Sequence, residues 1–424
     1  MARLSKKQMN KLKEQYGVNV IYSFSRYNSF IQDPYSYYLM YLRHAPQKEK
    51  QSIYSLQGTA IHEILQDYLE GKTAYEEMID RYEETLMQIN LDGYMYDCSD
   101  KDRNKNIADK YEESIRLFFK NYQPTGNKYL IEKPVVVKIG RFLFLGYIDL
   151  ITRTKEGKFQ ILDIKSSSIY KGEKKKKESS QLLIYAQAIR DKFNVPLSQI
   201  ECKWLFCKYV TVEVDLKTID RTTGKNKIKK KDCLRTTWVK EVQGDVKKWL
   251  EAEYNLDFLE LEDALQTCIE RNSLELYPKV MQHFRLSDCY VDVDISEESV
   301  NELNDKIIKT LTEVEEKTET AKEYLEIINT SDNDDEIKYF EKLLDELFWV
   351  DIKQSDEYYY WNLCNYDRTQ HKPWNEYLNN KSMFKNLAAL QFGLQHLFLL
   401  LEIFLGFSRK ECHKGFLVLL QKDS

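Results

Sequence analysis

The chain has 424 residues, 42% hydrophobic and 31% charged, which excludes a disordered polymer and leaves ample apolar material for a core. Its 63 Lys and Arg against 68 Asp and Glu give a net charge of −5, so no global basicity marks a nucleic-acid binder and any such role must rest on local patches. Only 14 Gly and 7 Pro exclude collagen-like and linker-dominated architectures, while eight scattered Cys and a polar, Lys-rich start without a signal-peptide core point to a reduced, cytoplasmic setting.

Residues 5–45 read as a polar lead-in followed by an aromatic-rich helical stretch, YSFSRYNSFIQDPYSYYLMYL, in which Asp33-Pro34 suits a new helix start. A helix is expected over 55–70, with Ile61, Leu65 and Leu69 on one face, and amphipathic helices over 74–91 and 106–122. The period then shortens. Residues 129–138, 141–152 and 158–165 are β-branched and aromatic, and Gly140 and a turn at 155–157 separate them, so they predict consecutive strands of one sheet. A helix at 178–193 and a strand at 200–214 complete an α/β or α+β core. From about 235 the chain reads as helical again, with an acidic amphipathic stretch at 296–350 broken by a turn near 329–334. The run 387–407 approaches membrane-spanning length, but Gln391, Gln395, His396 and Glu402 interrupt it, so it is not read as a span.

Two carboxylates carry the chemical signal. The strand 141–152 leads into Gly146-Tyr147-Ile148-Asp149, and the next ends in Asp163-Ile164-Lys165. Asp163 and Lys165 are two apart on a strand and share a face. A turn and return strand between Asp149 and Asp163 can bring the two acids side by side, where a divalent cation would relieve their repulsion. A lysine beside such a metal can steer a water or offset charge growing on a phosphate. Taken alone, Asp-x-Lys is better read as a surface ion pair worth about 0–1 kcal/mol. Gln181 and Tyr185, four apart on the following helix, could hold a phosphodiester or orient the lysine, or simply form a polar edge. His62, on a mostly apolar helix, is by itself more commonly a core residue than a ligand; as a ligand its nitrogen would favour Mn²⁺ somewhat over Mg²⁺.

Gly58…His62, Gly146-x-x-Asp149, Asp163-x-Lys165 and Gln181-x-x-x-Tyr185, in this order, resemble the RecB-type branch of the PD-(D/E)xK nucleases, which includes the nuclease domains of RecBCD and AddAB and many phage exonucleases. The aromatic opening resembles the branch's N-terminal helix, and the likeness covers about residues 20–215. It implies a restriction-endonuclease-like mixed central sheet flanked by helices. It also implies His62, Asp149 and Asp163 as ligands of Mg²⁺ or Mn²⁺, the Ile164 carbonyl completing the shell, Lys165 as the catalytic lysine, and Gln181 and Tyr185 as supporting residues. Glu132 matches an acidic position frequent in the family. Some members hold an iron–sulfur cluster, but here Asp33 stands at the N-terminal cysteine position and the C-terminal region offers Cys364 followed by His371 with no Cys-x-x-Cys, so no cluster is expected.

The organisation expected is a helical region at 1–125 contributing His62, a nuclease core at 126–235 and a mainly helical region at 236–424. Lys171, Lys174, Lys175, Lys176 and Lys177, read as a loop beside the metal site, are expected to contact DNA backbone. A second cluster, 225–232, reads as a hairpin tip or loop, and Tyr358 to Trp361 as a core segment or a stacking platform. The function expected is a metal-dependent DNA nuclease, an exonuclease of recombination, repair or phage DNA processing. It would lie in the bacterial cytoplasm, act on DNA beside a separate helicase or recombinase, and make no membrane contact. The competing reading is an inert DNA-binding or recombination subunit built on the same fold.

Overall fold

The computed structural model describes residues 3–47, 52–98, 100–124, 128–219, 221, 224–350 and 364. The chain divides into two units, 1–350 and 351–424. The apolar run at 387–407, the aromatic run Tyr358 to Trp361 and His371 all lie outside the described residues. Among the described residues no helix is long and apolar enough to cross a membrane.

Local chemistry sets the helix starts. Helix α1 (Lys6–Tyr16) opens on a Ser5/Gln8 capping box and stops at Gly17. A two-residue strand β1 (Ile21–Tyr22) precedes α2 (Phe24–Gln32) and α3 (Pro34–Tyr41). Asp33 divides these two helices: its carboxylate accepts from Ser36 N at 3.2 Å, and Pro34 occupies the first turn of α3, where a missing N–H does no harm. Helices α4 (Ile53–Leu69), α5 (Glu77–Leu91) and α6 (Lys101–Asn121) follow.

One mixed sheet organises the rest, as the resemblance implied. Its strands are β1, β2 (Leu130–Ile139), β3 (Phe142–Arg153), β4 (Phe159–Lys165), β5 (Ile200–Ile219), β6 (Asn226–Leu234) and β7 (Phe284–Val293). Strand β2 runs antiparallel along one edge of β3. The other edge of β3 is shared: β1 pairs in parallel with Leu143 and Phe144, and β4 pairs antiparallel from Leu150 to Arg153. Among the described residues, 145–149 therefore have no ladder partner on that edge, and the candidate site forms in this gap. Strand β4 lies parallel to β5, which also carries β6 and β7.

Helices cover the sheet. On one face Ile61, Ile64 and Leu65 of α4, with Tyr82 of α5 and Phe118 of α6, pack on Leu150, Leu162, Ile164 and Leu205 in one buried cluster. Helix α7 (Gly172–Phe193) is tied to β5 by Cys202 Sγ, 3.7 Å from the Leu182 carbonyl. The short helices α8 (Trp238–Glu241) and α11 (Pro278–Met281), with α9 (Gln243–Tyr254) and α10 (Phe258–Arg271), enclose a second cluster over the far half of β5, where Val210, Val212 and Val214 meet Trp238 and Leu250. Helix α12 (Glu297–Thr330) rests on α7, with Asn304 Nδ2 donating to Gln187 Oε1 at 3.0 Å, and α13 (Asp334–Phe348) folds back on α12 and α3.

Three expectations are corrected. Residues 172–178 are the opening turns of α7, not a loop: lysine is a good helix former and nothing after Gly172 breaks the run. In the 225–232 cluster, residues 226–232 lie in strand β6, laddered with β5. Strand β7 interrupts the region read as continuous helix, because the long β5 offers it an edge from Cys202 to Val214.

Candidate active site

The Asp149 and Asp163 positions follow from the ladder. Pairing runs Leu150 with Leu162 and outward, so the next step inward would set Asp149 opposite Asp163, and there the two strands part. With the ladder open, the Ile164 N–H donates instead to Asp149 Oδ2 at 2.9 Å. Leu162 and Ile164 turn into the core under α4–α6, which puts Asp163 and Lys165 on the opposite face of β4.

Helix α4 enters the gap with His62. Its Nε2 stands 2.9 Å from the Ile164 carbonyl and its Nδ1 3.5 Å from Asp149 Oδ2. Both ring nitrogens thus face acceptors, and a neutral imidazole can donate to only one. Lys165 Nζ lies 2.7 Å from Asp163 Oδ2, a buried oxygen. The protein's own cations and N–H groups thus compensate Asp163 closely and Asp149 only in part.

The electrostatics match. Burial, reinforced by Asp163, pushes the Asp149 carboxyl from its ordinary 3.8 up to about 6, against the opposing pull of His62, Lys165 and the Ile164 N–H. Burial works against the Lys165 charge, but Asp163, Tyr170 and Asp149 outweigh it and hold the ammonium above its ordinary pKa. Its side chain is 20% exposed and that of Asp163 only 5%.

Helix α7 closes the other side. Gln181 Nε2 donates to the Tyr185 hydroxyl at 3.0 Å, and burial raises the pKa of that phenol. Gly146 has a steric reason: a Cβ there would fall 2.3 Å from Tyr185 Cε1, so only glycine lets this ring lie against β3. Gly58 plays a milder part on α4, where a Cβ would stand 3.7 Å from Ser166 Oγ.

His62, Asp149 and the Ile164 backbone are thus gathered directly, with Asp163 and Lys165 paired beside them. Glu132 falls at the register position across from Asp149 but adopts φ +46°, between the regular pairs Ile131–Leu150 and Lys133–Ile148. Lys171 and Lys174 to Lys177 sit at the start of α7, and Lys176 pairs with Glu173 at 3.7 Å. Sequence reasoning missed Tyr111, Tyr170 and Lys208, which surround the exit from β4; nothing in their local pattern separates them from ordinary core or surface residues.

The donor set, two carboxylates, a carbonyl and an imidazole, suits a hard divalent cation. The destabilised Asp149 charge, beside the Asp163 carboxylate, is what such an ion would satisfy. Among the described residues, however, no three His, Cys, Asp or Glu side chains are already arranged around a common metal position.

Among the described residues, a seven-stranded mixed sheet sets two acids at a parted strand pair, with a lysine two residues beyond Asp163. The family model of the PD-(D/E)XK nuclease superfamily matches residues 21–277, more than half of the chain, and the chain belongs to that superfamily. Its members generally use divalent metal ions. No curated protein matches the chain. Among solved structures, a crystal structure from Eubacterium rectale described as a "putative exonuclease" aligns over 68% of this chain and 91% of its own, at 11% identity and a TM-score of 0.27.

Proposed function

We propose that the chain is a Mg²⁺- or Mn²⁺-dependent deoxyribonuclease of the RecB type, an exonuclease acting in DNA recombination, repair or phage DNA processing. The observation that carries this reading is the convergence of His62, Asp149 and the Ile164 carbonyl beside the Asp163–Lys165 pair. In it, His62, Asp149, Asp163 and the Ile164 carbonyl hold the metal. When bound, the ion supplies a water of lowered pKa and offsets charge on the phosphate. Lys165, kept as an ammonium by its acidic neighbours, donates a hydrogen bond to the attacking water or a phosphate oxygen rather than acting as a base. Gln181 and Tyr185 support that edge of the site, and the lysines opening α7 meet the DNA backbone. Residues 1–125 contribute His62, 126–235 form the core, and 236–350 add helices together with β7, which joins the same sheet. A separate bacterial or phage helicase or recombinase in the cytoplasm would deliver the DNA.

The test is cleavage of end-labelled linear DNA with Mg²⁺ or Mn²⁺ and a chelator control, beside a covalently closed circle. Wild type should degrade the linear substrate and spare the circle, and Asp163→Ala and Lys165→Ala should not cleave. Metal-independent cleavage, or full activity in either variant, overturns the mechanism; circle cleavage overturns the exonuclease assignment. The inert-subunit reading has one observation in its favour, the absence of a ready three-side-chain metal group among the described residues. Calorimetric titration with Mn²⁺ separates the two, since no heat of binding would support the inert subunit.

A further inference from the structure

Immediately beyond Lys165 the chain leaves β4 through Ser166 and Ser167, and an aromatic ring stands near each. The Tyr111 phenol approaches Ser166 without forming an aligned hydrogen bond. Ser167 Oγ is hydrogen-bonded to the Tyr170 hydroxyl at 3.1 Å. Each ring carries a cation: Lys208 Nζ lies 4.9 Å from the Tyr111 centroid and Lys174 Nζ 5.1 Å from that of Tyr170. Lys208 is on β5, two residues past Phe206, the register partner of Lys165. Two lysines from different elements, β5 and α7, therefore flank the exit from the candidate active site.

Neither has an acidic partner among the described residues, although elsewhere acids are in ready supply: Lys229, Lys230 and Lys231 of β6 pair with Asp245, Glu213 and Glu241. Lys208 is also half-buried, and burial, with repulsion from Lys174, brings its ammonium down to about 8. Two cations held over tyrosine rings, neither in an ion pair among the described residues, make a seat for an external anion.

We propose that Lys208 and Lys174 together bind one backbone phosphate of the DNA, next to the scissile phosphate on the Lys165 side. The assignment rests on the deoxyribonuclease reading above and adds to it the residues that fix the strand's register. A point charge on each side of one phosphate would hold the strand irrespective of base sequence. Neither lysine is a catalytic residue in this scheme; both position the substrate.

Lys208→Met keeps an aliphatic stem over Tyr111 and removes the charge, and Lys174→Gln does the same at an exposed position. DNA affinity is measured by fluorescence anisotropy without metal over a range of salt, and cleavage by kcat and KM with Mg²⁺. Each variant should weaken binding roughly five- to tenfold, lower the slope of log affinity against log salt by about 1, and raise KM while kcat stays within about twofold. Lys208→Arg should restore most of the affinity. If wild type binds and cleaves DNA but both variants keep its affinity and salt slope, this phosphate site is wrong and the nuclease reading stands. If wild type neither binds nor cleaves, the nuclease reading itself falls. Should Lys208→Met fail to fold, Lys174→Gln decides between the same two outcomes.

Discussion

Two buried ion pairs flank β5, and they are built differently. Arg235 and Asp288 meet at 2.5 Å with side chains 3% and 4% exposed. Arg235 Nε also donates to the Cys207 carbonyl at 2.8 Å, its guanidinium lies 5.2 Å from the Phe118 ring, and Asp288 Oδ2 accepts the Gln123 N–H at 3.1 Å. Every charge there is answered within the protein. The Asp163–Lys165 pair is also closed, at 2.7 Å, but beside it stands a second acid, Asp149, whose charge burial disfavours and which His62, Lys165 and the Ile164 N–H offset only in part. A pair completed by its own surroundings belongs to the scaffold; an acid left short of countercharge is one that something from outside completes.

The largest expected effects set these pairs against each other. Lys165→Ala or Asp163→Asn should lower cleavage by at least about 10³-fold, some 4 kcal/mol of barrier, with a smaller change in unfolding free energy. Asp288→Ala, which strands the buried Arg235, should cost about 3–5 kcal/mol of stability while the folded fraction cleaves DNA at the wild-type rate. Urea unfolding and cleavage assays on the same preparations check both, and a reversed pattern would break the distinction.

The incomplete site should also register in pH. Asp149 rises from 3.8 to about 6 on folding, so the folded state holds this proton more tightly than the unfolded chain. Stability from this group is therefore full below about pH 4 and is lost as pH climbs through about 6. Relative to wild type, metal-free Asp149→Asn should gain up to about 3 kcal/mol at pH 7 and lose the downward slope between pH 4 and 6. Mg²⁺ or Mn²⁺ should shrink that advantage by stabilising only the wild type. Thermal melts from pH 4 to 8, with and without metal, measure the gap; a parallel pair of curves would contradict the assignment.

A smaller effect tests how the site is walled. Gly146→Ala puts a Cβ 2.3 Å from Tyr185 Cε1, and displacing the ring should cost about 1–3 kcal/mol and reduce cleavage. Adding Tyr185→Leu should recover part of the stability, a non-additive outcome that marks direct contact.

The core strands β2 to β4 and the site motifs were readable because their cues are local: period-two alternation, Gly140 at a turn with φ +57°, and an Asp-x-Lys on one strand face. Asp33-Pro34 announced a cap that the fold uses. Strand β7 was not readable, since its pairing depends on an edge of β5 some eighty residues earlier. Lys208 was hidden for the same reason: its meaning lies in Tyr111 of α6 and Lys174 of α7, neither of which is near it in sequence. Likewise, the partial satisfaction of Asp149 follows from the point where the β3–β4 ladder ends, a property of register.

The smallest effect belongs to the lysines that look most like a nucleic-acid patch. Strand β6 presents Lys229, Lys230 and Lys231, but these lie 2.7 Å from Asp245, 2.6 Å from Glu213 and 4.0 Å from Glu241, respectively. A phosphate approaching them would have to displace an acid already in place, and the net field they offer is weak. Lys230→Gln should thus shift DNA affinity by less than about twofold, leave the salt slope unchanged and alter stability by about 0–1 kcal/mol. Compared with Lys208→Met in the same anisotropy titration, it isolates counter-ion status from the mere number of positive charges. An equal loss in both variants would mean that long-range charge, rather than the two-lysine seat beside Ser166, governs binding.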